Sequence, residues 1–136
     1  MPSVSFEEFL IWKKKQLSKG GDQQSFAVLL DCIGGLSASD LNLMSINLEG
    51  KLHLKKKLEF LESVWHDHLL NSCPIQYLCG ITFWRDLKLK VTKKVLIPRP
   101  ETELIVDIVF NIFRRKSEKL FFAELGTGSG AISIAL

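Results

Sequence analysis

The stretch Leu120–Leu136 reads LFFAELGTGSGAISIAL and joins two different apolar patterns through three glycines. The run Leu120–Leu125 has the composition of a buried strand, and the run Ala131–Leu136 begins like a helix. The glycines between the two runs are Gly126, Gly128 and Gly130. A strand that enters a helix through glycines is typical of an α/β domain with a parallel sheet. Such a turn also presents bare backbone N–H groups and a helix N-terminus to a ligand.

Two nucleotide-binding loops are excluded by the residues that follow these glycines. A Walker A loop requires a lysine after its last glycine, and Ala131 stands there instead. The glycine-rich loop of protein kinases fails at Ala131 and Ser133. A dinucleotide fingerprint, G-x-G-x-x-[GA], is met by Gly126, Gly128 and Ala131, but the acidic residue that would confirm it, roughly twenty positions on, would fall beyond Leu136.

A fourth kind of loop fits more positions. Glu124 and the three glycines form E-x-G-x-G-x-G, which resembles the first motif of S-adenosylmethionine-dependent methyltransferases. The methionine end of that cofactor carries an ammonium group beside a sulfonium. The Glu124 carboxylate suits the ammonium, and glycine amides permit close approach. No phosphate has to be neutralised, so no lysine is needed. The alternative without a ligand is a tight turn that only connects the strand to the helix.

A second sequence motif helps to decide which ligand class the loop serves. Val95–Asp107 reads VLIPRPETELIVD, and upstream stand PIQYLCG at Pro74–Gly80 and FWRDLKLKV at Phe83–Val91. Together with the glycine loop these strings closely resemble the release factor glutamine methyltransferase family. The resemblance is close from Pro74 to Leu136 and looser before it. Glu124 occupies a position where aspartate is commoner in the family.

The resemblance implies a fold class and a domain plan. The fold class is α/β, in which an N-terminal helical bundle is joined by a β-hairpin linker to a Rossmann-like methyltransferase domain. We expect a substrate-binding bundle at residues 1–73, a connector with the hairpin at 74–98 and a truncated methyltransferase domain at 99–136. In that plan the chain is the N-terminal portion of a longer enzyme.

The resemblance also implies site residues and an activity. The cofactor loop would consist of Glu124, Gly126, Thr127, Gly128, Ser129 and Gly130. The region between cofactor and substrate would be lined by Arg99, Pro100, Glu101 and Thr102. For this second set the alternative is simple helix entry, with proline at the first position and acids in the first turn.

The implied reaction transfers a methyl group from S-adenosylmethionine to the glutamine N5 of the Gly-Gly-Gln motif in class 1 peptide chain release factors. The family's catalytic N-P-P-Y string is absent from the 136 residues, so we expect this chain to be inactive alone. Two other hypotheses remain open: an NAD(P)-dependent oxidoreductase fragment and a non-catalytic helical binding module.

The N-terminal half has the pattern of several amphipathic helices. Ser5 and Glu8 form a capping box at the first helix, and a second helix is predicted from about Gln23 to Ile33, ending at Gly34-Gly35. Ser37 or Ser39 could cap a short third helix through Met44. The spacing of Leu54, Leu58, Leu61, Trp65 and Leu69 predicts a longer helix from Leu52 to Leu70.

The second half is predicted to open with a hairpin. Phe83–Val91 alternates as one half-buried strand with Phe83 on the apolar face, Thr92–Lys94 forms the turn, and Val95–Ile97 returns. A helix from Pro100 to a basic last turn at Arg114–Lys116 is apolar nearly all round, which predicts that it is largely buried.

Composition supports these expectations without deciding among them. The 136 residues are 46% hydrophobic and 24% charged, with a net charge of +3, which is too mild to indicate nucleic-acid binding. The cysteines, three in number, are expected to be free thiols in a reducing compartment. No metal site is expected, because His66 and His68 point to different sides of a helix. We expect a monomeric cytoplasmic protein without a signal peptide or a membrane span.

Overall fold

The computed structural model describes residues 1–37, 39–42, 50–113 and 121–136. These residues form two compact units, Met1–Cys79 and Gly80–Leu136. The first unit contains β1 (Ser3–Ser5), α1 (Phe6–Ser18), α2 (Gln23–Leu29), a π-helical turn (Leu30–Gly34), β2 (Lys51–His53), α3 (Leu58–Leu70) and α4 (Ile75–Cys79). The second contains β3 (Ile81–Trp84), β4 (Leu87–Lys90), a 3-10 turn (Pro100–Thr102), α5 (Glu103–Phe113) and α6 (Ala131–Ala135).

The first helix begins, and the second begins and ends, close to the predicted positions. Ser5 Oγ accepts a hydrogen bond from the Glu8 N–H at 3.2 Å, so the predicted cap of α1 is confirmed. Asp22 caps α2 by accepting from the Ser25 N–H at 2.8 Å. The helical run ends at Gly35, whose φ of +74° is the left-handed conformation usual after a helix. Its last turn is π-helical, which the sequence pattern did not indicate.

The short third helix is capped by Ser37. The Asp40 N–H donates to Ser37 Oγ at 3.2 Å, and the Ser37 N–H donates to Asp40 Oδ2 at 2.8 Å, a reciprocal arrangement like a capping box. Residues 39–42 are helical. The predicted continuation through Met44 lies outside the described residues.

The predicted helix from Leu52 to Leu70 is wrong over residues 52–57. Lys51–His53 forms β2, which pairs antiparallel with β1, so that Leu52 lies opposite Val4. The Leu54 N–H donates to the Pro2 carbonyl at 2.9 Å and extends the pairing. Leu52 and Leu54 are both buried. Their spacing of two is a strand signal that the wider apolar period concealed.

Aromatic side chains form the centre of the first unit. Phe26 meets Trp65 edge to face with ring centroids 4.8 Å apart, and Trp12 lies 5.6 Å from Phe26. The Trp65 indole N–H donates to the Gln16 carbonyl at 3.3 Å. Helices α1, α2 and α3 thus bury their apolar sides together with the small β1–β2 sheet.

The hairpin turns at a different place from the predicted one. β3 pairs with β4 so that Trp84 lies opposite Leu87 and Thr82 opposite Leu89. The two-residue turn is Arg85–Asp86, and Arg85 has φ +52°. The predicted single strand Phe83–Val91 with a return at Val95–Ile97 is therefore wrong.

This turn reverses the expected faces of the hairpin. Thr82 and Trp84 are buried, whereas Phe83, expected on the apolar face, is 54% exposed. Glycine or asparagine usually marks such a turn in a sequence. Arg85 adopts positive φ here, but its residue type does not indicate a turn.

The second unit has a small core around Trp84, Leu89, Val106 and Ala131. Trp84 Nε1 donates to the Arg99 carbonyl at 2.9 Å, and Arg85 Nη1 donates to Asp107 Oδ1 at 2.9 Å. These bonds join the hairpin to the start of α5 and to α5 itself.

The expectation that the helix after Pro100 is largely buried is wrong for the described residues. Within α5 only Val106 is buried, and Leu104 and Ile112 are 61% and 60% exposed. An all-round apolar helix can cover one stripe on this small core, and the rest of its surface has no cover among the described residues. The predicted basic last turn, Arg114–Lys116, lies outside them.

The fold is a mixture of helices and small sheets, in agreement with an α/β class. Each sheet in the described part of the chain has two antiparallel strands. Phe121–Glu124 is not in a strand ladder there, so the Rossmann-like start stays a prediction. In the same described ranges, no helix has the length and apolar character needed to cross a membrane.

Candidate functional site

The glycine loop between Glu124 and α6 is held in a backbone conformation that side chains disfavour. Gly126, Gly128 and Gly130 have φ of +75°, +54° and +76°. An L-residue in this region costs roughly 1–2 kcal/mol. The Gly130 N–H donates to the Thr127 carbonyl at 2.7 Å, and Gly130 is the N-cap of α6. The loop therefore requires glycine for its shape.

The space around Gly126 and Gly128 is open among the described residues. Within the part of the chain that the structure describes, a Cβ on Gly126 would meet no heavy atom within 4 Å, and one on Gly128 would meet only the Gly126 carbonyl oxygen at 3.9 Å. Packing within the unit therefore does not demand glycine at these two positions. The bare backbone is free to receive a ligand at close range.

Glu124 has a fixed carboxylate next to this loop. Its Oε2 accepts a hydrogen bond from the Ser133 backbone N–H at 3.1 Å and a second one from the Ser133 hydroxyl. Ser133 lies in the first turn of α6, where a carboxylate satisfies a free N–H and interacts favourably with the helix dipole. Both bonds go to Oε2, which leaves Oε1 as the oxygen that can meet a ligand cation.

A cleft of about 520 Å³ adjoins Glu124. One wall comes from Ile105 and Val109 of α5, and Glu124 and Ser133 are its polar lining side chains. The volume is in the range of small-molecule sites. The remaining lining residues are Phe122, Ala123, Leu125, Ile132 and Leu136. Of the predicted cofactor loop, only Glu124 lines this cleft; Gly126, Thr127, Gly128, Ser129 and Gly130 do not.

The predicted substrate residues lie at the entry to α5. Arg99, Pro100 and Glu101 are exposed, and Thr102 is half-buried. Pro100 opens the 3-10 turn, and the Thr102 N–H donates to the Arg99 carbonyl at 3.1 Å. None of the four lines the cleft. Their backbone thus serves helix entry, while the exposed side chains of Arg99 and Glu101 are available to a partner.

Two residues that contribute to the site lie outside the glycine motif. Ser133 fixes the Glu124 carboxylate, and Trp84 holds the Arg99 carbonyl from a buried position. A serine three positions after the last glycine of the loop is a usable signal for the first, because that position carries a free helix N–H. The Trp84 contact depends on the hairpin register and has no local signal.

Comparison with known proteins finds relatives that share one name. No protein-family model matches the chain. It is 44% identical over 133 residues to the release factor glutamine methyltransferase of Prochlorococcus marinus, across 97% of this chain and 45% of that protein. The proteins of the same name from Gloeobacter violaceus and Synechocystis sp. are 34% and 36% identical, across 92% and 98% of this chain.

These matches cover the N-terminal part of the relatives. The chain spans less than half the length of each of the three, with 45%, 43% and 46% covered. The similarity includes both the helical unit and the glycine loop, since it extends over nearly all of this chain.

Proposed function

Because the chain belongs to the release factor glutamine methyltransferase family, as a relative of the N-terminal part of those proteins, we propose that it serves the N5-methylation of a glutamine in a peptide chain release factor. The observation that supports this most directly is the Glu124–Gly130 loop. It combines an acidic residue with three left-handed glycines in a chain that is 44% identical to such an enzyme.

The residues present fit S-adenosylmethionine, which would supply the methyl group. Gly126 and Gly128 leave open space beside their backbone, so a ligand can approach their amides without meeting a side chain. The Glu124 carboxylate is held in place by Ser133 and carries the negative charge that an ammonium group requires.

The other half of the proposal concerns the release factor. A carboxamide nitrogen is a weak nucleophile, so the enzyme must hold it in line with the methyl group. We assign docking of the release factor to the helical unit Met1–Cys79 and to the exposed side chains Arg99 and Glu101. The 136 residues do not contain the N-P-P-Y string to which the resemblance assigns the alignment of the amide. The chain alone is therefore proposed to bind without transferring the methyl group, as a cytoplasmic monomer.

A hybrid enzyme tests this function. In the hybrid, this chain replaces the matching N-terminal part of the Prochlorococcus marinus relative. The hybrid, the chain alone and the unaltered relative are each incubated with a class 1 release factor and isotope-labelled S-adenosylmethionine. Peptide mass spectrometry then locates the label.

We expect the hybrid to place one methyl group on the glutamine of Gly-Gly-Gln, and the chain alone to place none. A hybrid with a native circular dichroism spectrum that leaves the glutamine unmodified, while the relative modifies it, would contradict the proposal. Transfer by the chain alone would overturn the assigned need for N-P-P-Y.

A further inference from the structure

The β3–β4 hairpin has two faces of different character. One face belongs to the small core of the second unit. The other face carries two cross-strand pairs, Ile81 with Lys90 and Phe83 with Lys88. We call these four side chains the outer face of the hairpin. Ile81 is half-buried and the other three are exposed, so β3 supplies an apolar column and β4 a basic column.

We propose that the outer face docks an acidic, extended segment of the release factor, an inference that rests on the proposed function. Residues two apart in a strand are about 7 Å apart, and this is the spacing of Lys88 and Lys90 along β4. Alternate side chains of an extended peptide have the same spacing. Two carboxylates at alternate positions of the partner therefore match the two ammonium groups, and an apolar neighbour can contact Phe83.

The charge around this face is strongly basic. Between Gly80 and Arg99 the sequence has six lysine or arginine residues and one acidic residue, Asp86. The whole chain has a formal net charge of only +3. The positive charge is thus concentrated at the hairpin, where it attracts an acidic partner and steers its approach.

The two lysines of the outer face are available to such a partner. Neither Lys88 nor Lys90 forms an ion pair with another described residue, whereas Arg85 pairs with Asp107. Lys88 Nζ lies 5.8 Å from the centroid of the Phe83 ring, and a cation–π contact of this kind holds the ammonium group beside the apolar surface. A carboxylate that binds Lys88 would therefore bring the adjoining part of the partner within reach of Phe83.

The same geometry favours a peptide over a single-stranded nucleic acid. Binding of single strands commonly depends on bases that stack on open aromatic rings. The Phe83 ring has the Lys88 ammonium group over it, and the outer face carries no second aromatic side chain. Phe83 is nevertheless 54% exposed, so the rest of its apolar surface suits an aliphatic side chain.

The test titrates a fluorescently labelled class 1 release factor with the full chain and follows the anisotropy. Lys88→Glu combined with Lys90→Glu should weaken binding about tenfold or more, and Phe83→Ala about threefold. Lys88→Arg combined with Lys90→Arg keeps both charges and should stay within about twofold of the parent chain. Circular dichroism checks that each variant is folded, which we expect because all three positions are exposed.

A matched control reverses two lysines outside the outer face. Lys93 and Lys94 are exposed in the turn after β4, so Lys93→Glu combined with Lys94→Glu makes the same change in net charge. We expect this control to weaken binding by less than about threefold. Equal weakening by both pairs would show that the charge of the segment and not the outer face sets the affinity, and would overturn the proposal. Failure of the parent chain to bind the release factor would overturn it as well.

A nucleic-acid probe tests the other class of partner. A labelled single-stranded oligonucleotide replaces the release factor in the same titration at the same salt concentration. We expect it to bind more weakly than the release factor. Tighter binding of the oligonucleotide that Lys88→Glu with Lys90→Glu abolishes would assign the outer face to nucleic acid and overturn the proposal.

Steady-state kinetics of the hybrid enzyme separate this inference from the proposed function. Lys88→Glu combined with Lys90→Glu should raise the KM for the release factor about tenfold with little change in kcat. A hybrid that methylates the glutamine and keeps its KM in this variant would overturn the docking face and leave the function standing. A hybrid that does not methylate, built from a chain that binds the release factor through these lysines, would overturn the function and leave the docking face standing.

Discussion

At the scale of single residues, two glycines have nearly the same geometry but different surroundings in the chain. Gly126 has φ +75° and Gly80 has φ +72°, and a Cβ on either would meet no heavy atom of the described residues within 4 Å. A substitution by alanine therefore carries the same conformational cost at both positions, roughly 1–2 kcal/mol. Only Gly126 belongs to the proposed cofactor loop. Alanine substitutions at the two positions therefore separate the energetic cost of a strained backbone from the loss of ligand access to the backbone.

The first prediction uses this pair in the hybrid enzyme. Gly126→Ala should weaken S-adenosylmethionine binding by about tenfold or more, because a methyl group would occupy the side from which the cofactor approaches. Gly80→Ala should leave the affinity within about twofold, although both variants lose similar stability. Isothermal titration calorimetry measures the affinities and chemical denaturation the stabilities. Equal affinities in the two variants would show that the cofactor does not bind at this loop.

At the scale of elements, the helix caps show which parts of the fold are encoded locally. Ser5 with Glu8 and the end at Gly35 could be predicted because each depends on residues within one turn of the helix. The β1–β2 pairing could not, because its strands have three residues each and lie far apart in the sequence. The turn at Arg85 was concealed for a different reason: its positive φ is imposed by the hairpin and not by the residue type.

The candidate site likewise has one part that the local sequence predicts and one part that it does not. Glu124 and the glycines stand in one contiguous motif, and Gly126, Gly128 and Gly130 have left-handed backbone conformations. The cleft walls Ile105 and Val109 come from another helix, which no local pattern connects to the loop. Non-local contacts of this kind depend on packing, and a single sequence does not reveal them.

The second prediction concerns the cap of α2. Hydrogen bonds from Ser25 lower the pKa of the Asp22 carboxyl below its usual 3.8. The charged form is therefore favoured in the folded state, so the stabilisation is complete above the unfolded pKa and is lost as the pH falls through the folded pKa. Asp22→Asn keeps a good cap without a titrating group.

The free energy of unfolding of the parent chain should fall from pH 5 to pH 3 more steeply than that of Asp22→Asn, as measured by denaturant titration at each pH. The two proteins should differ least at pH 3. Asp40 and Glu62, whose pKa values are also lowered, remain in both proteins and cancel in the comparison. Parallel pH profiles would show that the Asp22 bond does not stabilise the fold.

At the scale of the molecule, the two units differ in how completely they bury their apolar residues. In Met1–Cys79 the side chains of Phe9, Leu61 and Trp65 are 0% exposed. In Gly80–Leu136, Phe121 and Leu125 are 97% and 96% exposed. Large exposed apolar surface reduces the free energy gained by burial and favours association. The first unit is therefore expected to hold most of the stability of the chain.

The third prediction follows from this contrast. Backbone amides of α1, α2 and α3 should exchange with deuterium roughly a hundredfold more slowly than those of α5 and α6. Leu61→Ala should accelerate exchange in the first unit, because removing a fully buried leucine side chain costs about 2–5 kcal/mol. Hydrogen exchange with mass spectrometry resolves the helices by peptide. Equal protection of the two units in the parent chain would refute the expectation.

The central claim is that the loop from Glu124 to Gly130 takes a methyl donor and not a dinucleotide. A calorimetric titration of the hybrid enzyme, first with S-adenosylmethionine and then with NAD in a separate cell, tests it most directly. We predict saturable binding of S-adenosylmethionine that Gly126→Ala weakens, and no binding heat from NAD. Saturable binding of NAD together with no response to S-adenosylmethionine would contradict the claim.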